Sequence, residues 1–141
     1  MAGEGGVVLD APLFPRGKSR NRMRFAVVDA HDHLRIDLFD RETAEETEEF
    51  LRAIEERGLK HPSSRVLICV HSSRAIFQVE KYHASMFIAE VAARPSLKVA
   101  LVATQWYVRI AHEYVELLAR LKGANIRSFA QEWEAIQWLI P

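Results

Sequence analysis

A chain of 141 residues, 49% of them apolar and 27% charged, has the usage of a single globular domain able to bury a core without metal or disulfide staples. Lysine plus arginine balance aspartate plus glutamate at 19 each, so net charge argues neither for nor against nucleic acid, and the lone cysteine, Cys69, excludes an internal disulfide. No apolar stretch approaches the roughly 20 residues of a membrane-spanning helix, and no basic start leads into an apolar signal core, so a soluble, cytoplasmic protein without a transmembrane segment is expected.

Residues 1–22 read as a flexible N-terminal arm. Arg16, Lys18, Arg20, Arg22 and Arg24 form a basic tract among Pro12, Pro15 and Gly17, without interleaved aromatics, so nucleic acid is not an expected partner. Residues 23–141 read as one domain. Alternation of apolar and polar residues in Arg24 to Asp29 and in Leu34 to Phe39 predicts two half-buried strands joined by the hairpin Ala30-His31-Asp32-His33. Thr43-Ala44-Glu45-Glu46 fits a capping box, which predicts a helix start. Its inner face is marked by Ala44, Thr47, Phe50, Leu51 and Ile54, and Gly58 is placed to stop it.

The unbroken apolar run from Arg65 to Val70 predicts a central strand buried on both faces, with Cys69 as a buried, inert thiol. A helix is expected from Arg74 to Ala93, carrying Ile76, Val79, His83 and Met86 on one side, with Tyr82, Phe87 and Val91 widening the stripe, and Pro95 after it. Lys98 to Ala103 predicts a second buried strand. The next helix, Trp106 to Lys122, carries Ile110, Tyr114, Leu117 and Leu121 at helical spacing and closes at Gly123. A short strand, Ile126 to Phe129, and a helix over Glu132 to Leu139 end the chain. The order predicts an α/β fold: one mixed sheet of about five strands, opening with a hairpin, packed with about four helices.

The opening hairpin, the strand leading to Thr43-Ala44-Glu45-Glu46, the strand Lys98-Val99-Ala100-Leu101-Val102 followed by Trp106, and the ending Ser128-Phe129-Ala130 through Trp138-Leu139 carry a resemblance. Over residues 24 to 140 the chain resembles the STAS-related family of sporulation anti-sigma-factor antagonists, and more closely the bacterial SpoIIAA-like proteins beside them. The resemblance implies a four- or five-stranded sheet with helices mainly on one face, related in shape to the CRAL-TRIO lipid-binding domains; it hands over no catalytic residue. Asp40-Arg41 stands where many relatives have glycine after the second strand, which opens the geometry of that turn.

Three constellations could carry chemistry. His31-Asp32-His33 looks like the His-x-His of amidohydrolases, but the barrel length and the later ligands are missing, so no metal is expected there. His71-Ser72-Ser73-Arg74, leaving the central strand towards a helix start, is the candidate anion or phosphorylation site, because helix N-termini and carboxyl ends of strands favour anions. Resemblance implies that the phosphorylated serine of anti-sigma antagonists occupies this loop. Here the serines stand without the preceding aspartate or following glycine of that motif, and ordinary helix capping accounts for them too. Tyr82, Met86, Trp106 and Tyr107 are the candidate pocket residues, although aromatics such as Trp106, Tyr107, Trp133 and Trp138 also anchor helices on sheets.

No catalytic constellation emerges, and no cofactor is expected. The expected function is a non-enzymatic STAS-like regulatory or protein-interaction module, its partner another protein or a second copy, docked near Ser72. The alternative is a carrier or sensor of a small apolar or acidic ligand, which a closed apolar cavity of a few hundred cubic ångströms would favour.

Overall fold

Period-two alternation is what an antiparallel ladder with one buried face requires. The structure, a computed structural model describing residues 23–73 and 78–141, pairs β1 (Arg24–Asp29) with β2 (Leu34–Phe39) from Arg24 opposite Phe39 to Asp29 opposite Leu34. Phe25, Val27, Leu34, Ile36 and Leu38 are buried on one side of this hairpin. At its tip His31 adopts a left-handed φ of 74°, and its N–H donates to the Asp29 carboxylate at 2.8 Å. The basic arm of residues 1–22 lies outside the described residues.

The capping box forms as expected at the start of α1 (Ala44–Ala53). Thr43 Oγ1 accepts from the Glu46 N–H at 3.2 Å, and the Glu46 carboxylate accepts from the Thr43 N–H at 3.0 Å. Phe50 and Ile54 lead the buried face. The helix end differs from the expected glycine stop. Its backbone widens into a π-helical turn, Ile54–Gly58, and closes on Leu59 in an ordinary right-handed conformation. Gly58 serves close approach instead: a Cβ there would sit 3.4 Å from both Ile54 and Val66, so the missing side chain lets the helix end lie on the sheet.

β3 (Arg65–Val70) pairs in parallel with β2 and with β4 (Lys98–Ala103), and β4 pairs in parallel with β5 (Ile126–Phe129). Four helices complete the α/β fold: α1, α2 (Gln78–Ala92), α3 (Trp106–Lys122) and α4 (Glu132–Leu139). The expected helix start at Arg74 to Phe77 lies outside the described residues. Strand order is β1-β2-β3-β4-β5, so every crossover steps the same way across the sheet. With the hand of such crossovers fixed, α1, α2 and α3 fall on one face. The larger core accordingly joins Phe50, Ile88, Val91, Val108 and Ala119 from those helices to Ile36, Ile68 and Leu101 of the strands.

The alternate strand residues Leu67, Cys69, Ala100 and Val102 point to the opposite face. There, among the described residues, α4 covers them, chiefly through Ala135 and Leu139. Burial pushes the Cys69 thiol up to about 12, as an inert core cysteine requires.

The rotation of α3 departs from the reading of its periodicity. Ile110, Tyr114, Leu117 and Leu121 face outward, 52%, 42%, 48% and 75% exposed, while Val108 and Ala119 are buried and Val115 and Leu118 pack on the core. The helix is apolar on two stripes, and the inward one has the smaller residues, which allow close approach to the sheet. Glu116 fixes the choice: its carboxylate accepts from the Ser128 N–H at 2.9 Å and from the Ser128 hydroxyl at 2.7 Å, tying α3 to β5.

The first turn of α4 is held from the sheet. Arg35 donates from Nη2 to Glu132 Oε1 at 3.0 Å and from Nη1 to the other carboxylate oxygen, while its Nε donates to Asp37 at 2.9 Å. Arg35 holds the Glu132 carboxyl below the usual carboxylate range. A depressed folded-state pKa adds stability above the unfolded value and loses it as pH falls through the folded value. Glu132→Gln should therefore cost about 0.5–1 kcal/mol at neutral pH, a small figure because the pair is half-exposed and screened. Urea titrations of both proteins from pH 7 to pH 2 should show the gap closing below about pH 4.5; a gap constant with pH would contradict the assignment.

Candidate functional site

The loop at the carboxyl end of β3 is built by reciprocal side-chain bonds with the end of β2. Asp40, where a glycine was the alternative, takes a left-handed φ of 58°, a conformation that aspartate tolerates better than most residues. Ser72 Oγ donates to Asp40 Oδ1 at 2.9 Å and accepts from the Asp40 N–H at 2.8 Å. Ser73 Oγ accepts from Arg41 Nε at 2.8 Å, and the Ser73 N–H donates to Gln105 Oε1 at 3.3 Å. Arg41 is itself buried and also donates to Thr47 Oγ1 at 2.8 Å.

His71 turns to the face that carries α4. It stacks on Phe39 at 4.5 Å between ring centroids, with Nε2 2.6 Å from Asp37 Oδ1, extending the chain of polar contacts through Arg35 to Glu132. His71, Ser72 and Ser73 are thus brought to one end of the sheet, but the hydroxyls engage the β2 end and His71 points elsewhere. Arg74 lies outside the described residues. Sequential strand order also removes the physical basis for a switch-point crevice here, since no reversal of direction separates neighbouring helices to opposite faces.

A second serine, imidazole and carboxylate meet at the other end of the strands, where no motif in the sequence pointed. Ser63 Oγ lies 2.7 Å from His61 Nδ1, and His61 Nε2 lies 3.0 Å from Asp29 Oδ1. The His61 hydrogen bond, joined by the His31 N–H, lowers the Asp29 pKa. Ser63 Oγ also accepts from the Arg65 N–H at 3.2 Å, and the Ser63 N–H donates to His61 Nδ1 at 3.2 Å. These short-range bonds close a tight turn and staple the β1–β2 hairpin to the loop before β3. At the hairpin tip His33 Nδ1 contacts its neighbour Asp32 at 2.9 Å, and among the described residues no three metal-ligating side chains gather.

The cavity is on the three-helix face. About 320 Å³ lies between the sheet and the helices, with Phe50 of α1, Ile54 of the π-helical turn, Ile68 of β3, Phe87 of α2, Leu101 of β4 and Val115 of α3 in its wall. Ile110 and Tyr114, both exposed, also border it. Of the expected pocket residues, Met86 and Trp106 stand outside at 52% and 66% exposure, and Tyr107 packs against the core beside Trp106. Tyr82 belongs to α2, but its side chain lies outside the described set. The wall draws on α1, α2, α3 and the strands β3 and β4, and the exposed Met86 and Trp106 are not part of it.

His112 belongs to this wall, yet its Nδ1 is out of reach of a water-sized molecule in the cavity. His112 Nδ1 is shielded from solvent without a hydrogen-bond partner among the described residues, and burial lowers the pKa of the ring to about 4. Its position, four residues after Val108 and three before Val115 on the inward stripe, was the available signal.

Compared with known proteins, the chain matches no family model, no curated protein and no solved structure.

The Ser72 clasp makes a distinct prediction. Ser72→Ala removes two hydrogen bonds and should cost about 1–2 kcal/mol. Ser72→Asp should cost more, because it sets a second carboxylate against Asp40. Chemical denaturation of the three proteins checks the order; an aspartate variant as stable as wild type would contradict the clasp.

Proposed function

We propose that this chain is a non-enzymatic STAS-like module that carries or senses a small apolar molecule in the cavity beneath α1, α2 and α3. The cavity is the observation that supports the reading. About 320 Å³ with mostly apolar walls, half-open to solvent and bordered by the exposed Ile110 and Tyr114, falls in the range of small-molecule pockets. The engagement of Ser72 and Ser73 with Asp40 and Arg41 favours a structural role for that loop over a catalytic one.

Titration of naphthalene, followed by its fluorescence, tests the reading. Saturable binding is expected, and Ala111→Leu, which grows a side chain into the space, should weaken it at least tenfold while the melting temperature stays near that of wild type. Absent binding, or equal binding by a folded Ala111→Leu protein, would refute the pocket.

The outward stripe of α3 favours a second reading, a protein-interaction module whose partner is a second copy. Trp106, Ile110, Tyr114, Leu117 and Leu121 recur at spacings that a helix–helix seam needs, and all five are exposed. An antiparallel pairing with Tyr114 opposite the second copy's Leu117 also sets Ile110 opposite Leu121. In that register Glu113 of each copy lies beside Arg120 of the other, so charge selects the self-complementary arrangement. Sedimentation velocity should find a concentration-dependent dimer that Glu113→Arg weakens and the double variant Glu113→Arg, Arg120→Glu restores. A monomer at all concentrations, or no rescue, would exclude this pairing.

A further inference from the structure

Alternation along a strand gives every second side chain to one face, and a parallel register lines those side chains up from strand to strand. On the face that carries α4, Leu67 and Cys69 of β3 stand beside Ala100 and Val102 of β4. Two residues earlier on these strands come Arg65 and Lys98, which the register sets opposite each other, and Arg127 of β5 stands opposite Ala100. Three cations from three neighbouring strands therefore share one face near the amino ends of the strands. With about 4.8 Å between strands, the row runs for about 10 Å.

No carboxylate answers this row. The other strand arginines are ion-paired, Arg24 with Asp40 at 3.4 Å and Arg35 with both Asp37 and Glu132. Among the described residues no ion pair is made by Arg65, Lys98 or Arg127. Asp32, on the hairpin tip, bonds His33 at 2.9 Å, and Arg65 Nη1 meets its backbone carbonyl at 3.5 Å. Lys98 Nζ donates to the Trp138 carbonyl at 3.1 Å, so the need of a helix end for a nearby cation accounts for Lys98. It does not account for Arg65 or Arg127, which make no hydrogen bond to α4 among the described residues.

An aromatic surface lies in the same row. The half-buried Trp138 ring has Lys98 Nζ 5.2 Å from its centroid, the Arg127 guanidinium carbon 5.7 Å away, and the Phe129 ring 5.8 Å away. Cations without internal partners beside partly exposed rings are what single strands of nucleic acid require: phosphates answer the charge and a base stacks on the ring. We propose that Arg65, Lys98, Arg127 and Trp138 form a binding surface for single-stranded nucleic acid. The balanced net charge does not oppose this, because acidic side chains gather elsewhere, on the first turns of α1 and α4. An anionic bilayer fits less well, since Trp138 and Phe129 are half-buried and no apolar side chain of the row protrudes to enter lipid. Charge and stacking are both indifferent to base identity, so little sequence preference is expected.

The test is fluorescence anisotropy of a fluorescein-labelled oligothymidylate of about ten nucleotides, titrated with the full chain between about 50 and about 200 mM sodium chloride. Saturable binding is expected, with a log–log salt slope of about −2 for three phosphate contacts at about 0.7 each. Arg127→Gln should weaken binding severalfold and reduce the slope by about 0.7, whereas Trp138→Leu should weaken it about tenfold and leave the slope unchanged. Arg52→Gln, which removes an exposed cation on α1, should do neither. Melting curves establish that each variant is folded. Absent binding at the lowest salt, or equal losses from Arg52→Gln and Arg127→Gln, would overturn the proposal. Binding to phosphatidylserine vesicles without binding to the oligonucleotide would assign the row to a membrane and overturn it as well. The row and the cavity lie on opposite faces of the sheet, so the outcome is independent of whether the cavity takes naphthalene.

Discussion

The fixed hand of parallel β–α–β crossovers governs the architecture. Each of the three parallel pairings joins strands that are also neighbours in sequence, so every crossover repeats the same step and returns its helix to the same side. Three helices therefore share one face of a five-stranded sheet. Their inward stripes meet the strands through Phe50, Phe87 and Val115, and the space they fail to fill is the cavity. The other face is left to the segment beyond the last strand. An eight-residue helix covers β3 and β4 with Ala135 and Leu139, and beside it the sheet is finished with charge, through Arg35, Asp37, Glu132 and His71.

The same constraint decides what the strand ends can be. Sheets whose order reverses open a crevice where adjacent crossovers leave for opposite faces, and ligands enter there. In a sheet that never reverses, the loops at the carboxyl ends lie side by side and must satisfy their polar groups on each other. Ser72 with Asp40, Ser73 with Arg41 and the Ser73 N–H with Gln105 do this across three consecutive strand ends. The amino ends are closed in the same manner by Asp29, His61 and Ser63. Both serine clusters join neighbouring segments of the scaffold by side-chain hydrogen bonds.

Features governed by local chemistry were legible in the sequence. Strand positions came from alternation and apolar runs, the start of α1 from the Thr43–Glu46 capping box, and the end of α3 from Gly123, which adopts the left-handed φ of 77° that such a cap requires. Features that depend on which of two faces meets the sheet were not. α3 has one apolar stripe through Val108, Val115 and Ala119 and another through Ile110, Tyr114, Leu117 and Leu121, and a period of 3.6 residues fits both. The choice rests on side-chain volume and on the bond from Ser128 to Glu116, a contact twelve residues apart in sequence. His112 was obscured by the same ambiguity, since the shielding of its Nδ1 follows only from which stripe faces the sheet. The π-helical turn was likewise invisible, because it answers to the approach of Gly58 to Val66 on the next strand.

Ile110 and Tyr114 connect the two surfaces of α3, because they border the cavity and belong to the exposed stripe. A second copy seated on that stripe would cover the border, so pairing of the chains would act on the exchange of whatever occupies the cavity. Linkage makes the effect reciprocal: whatever factor pairing applies to ligand affinity, ligand applies to pairing. If the second copy only blocks entry and exit, pairing slows exchange without changing affinity, and the module retains its molecule as a carrier does. If the ligand shifts Ile110 or Tyr114, it changes the seam that pairs with Leu121 and Leu117 of the second copy, and the association state reports occupancy as a sensor does. On the proposed reading, the distinction between carrier and sensor reduces to whether one turn of α3 moves when the space beneath it is filled.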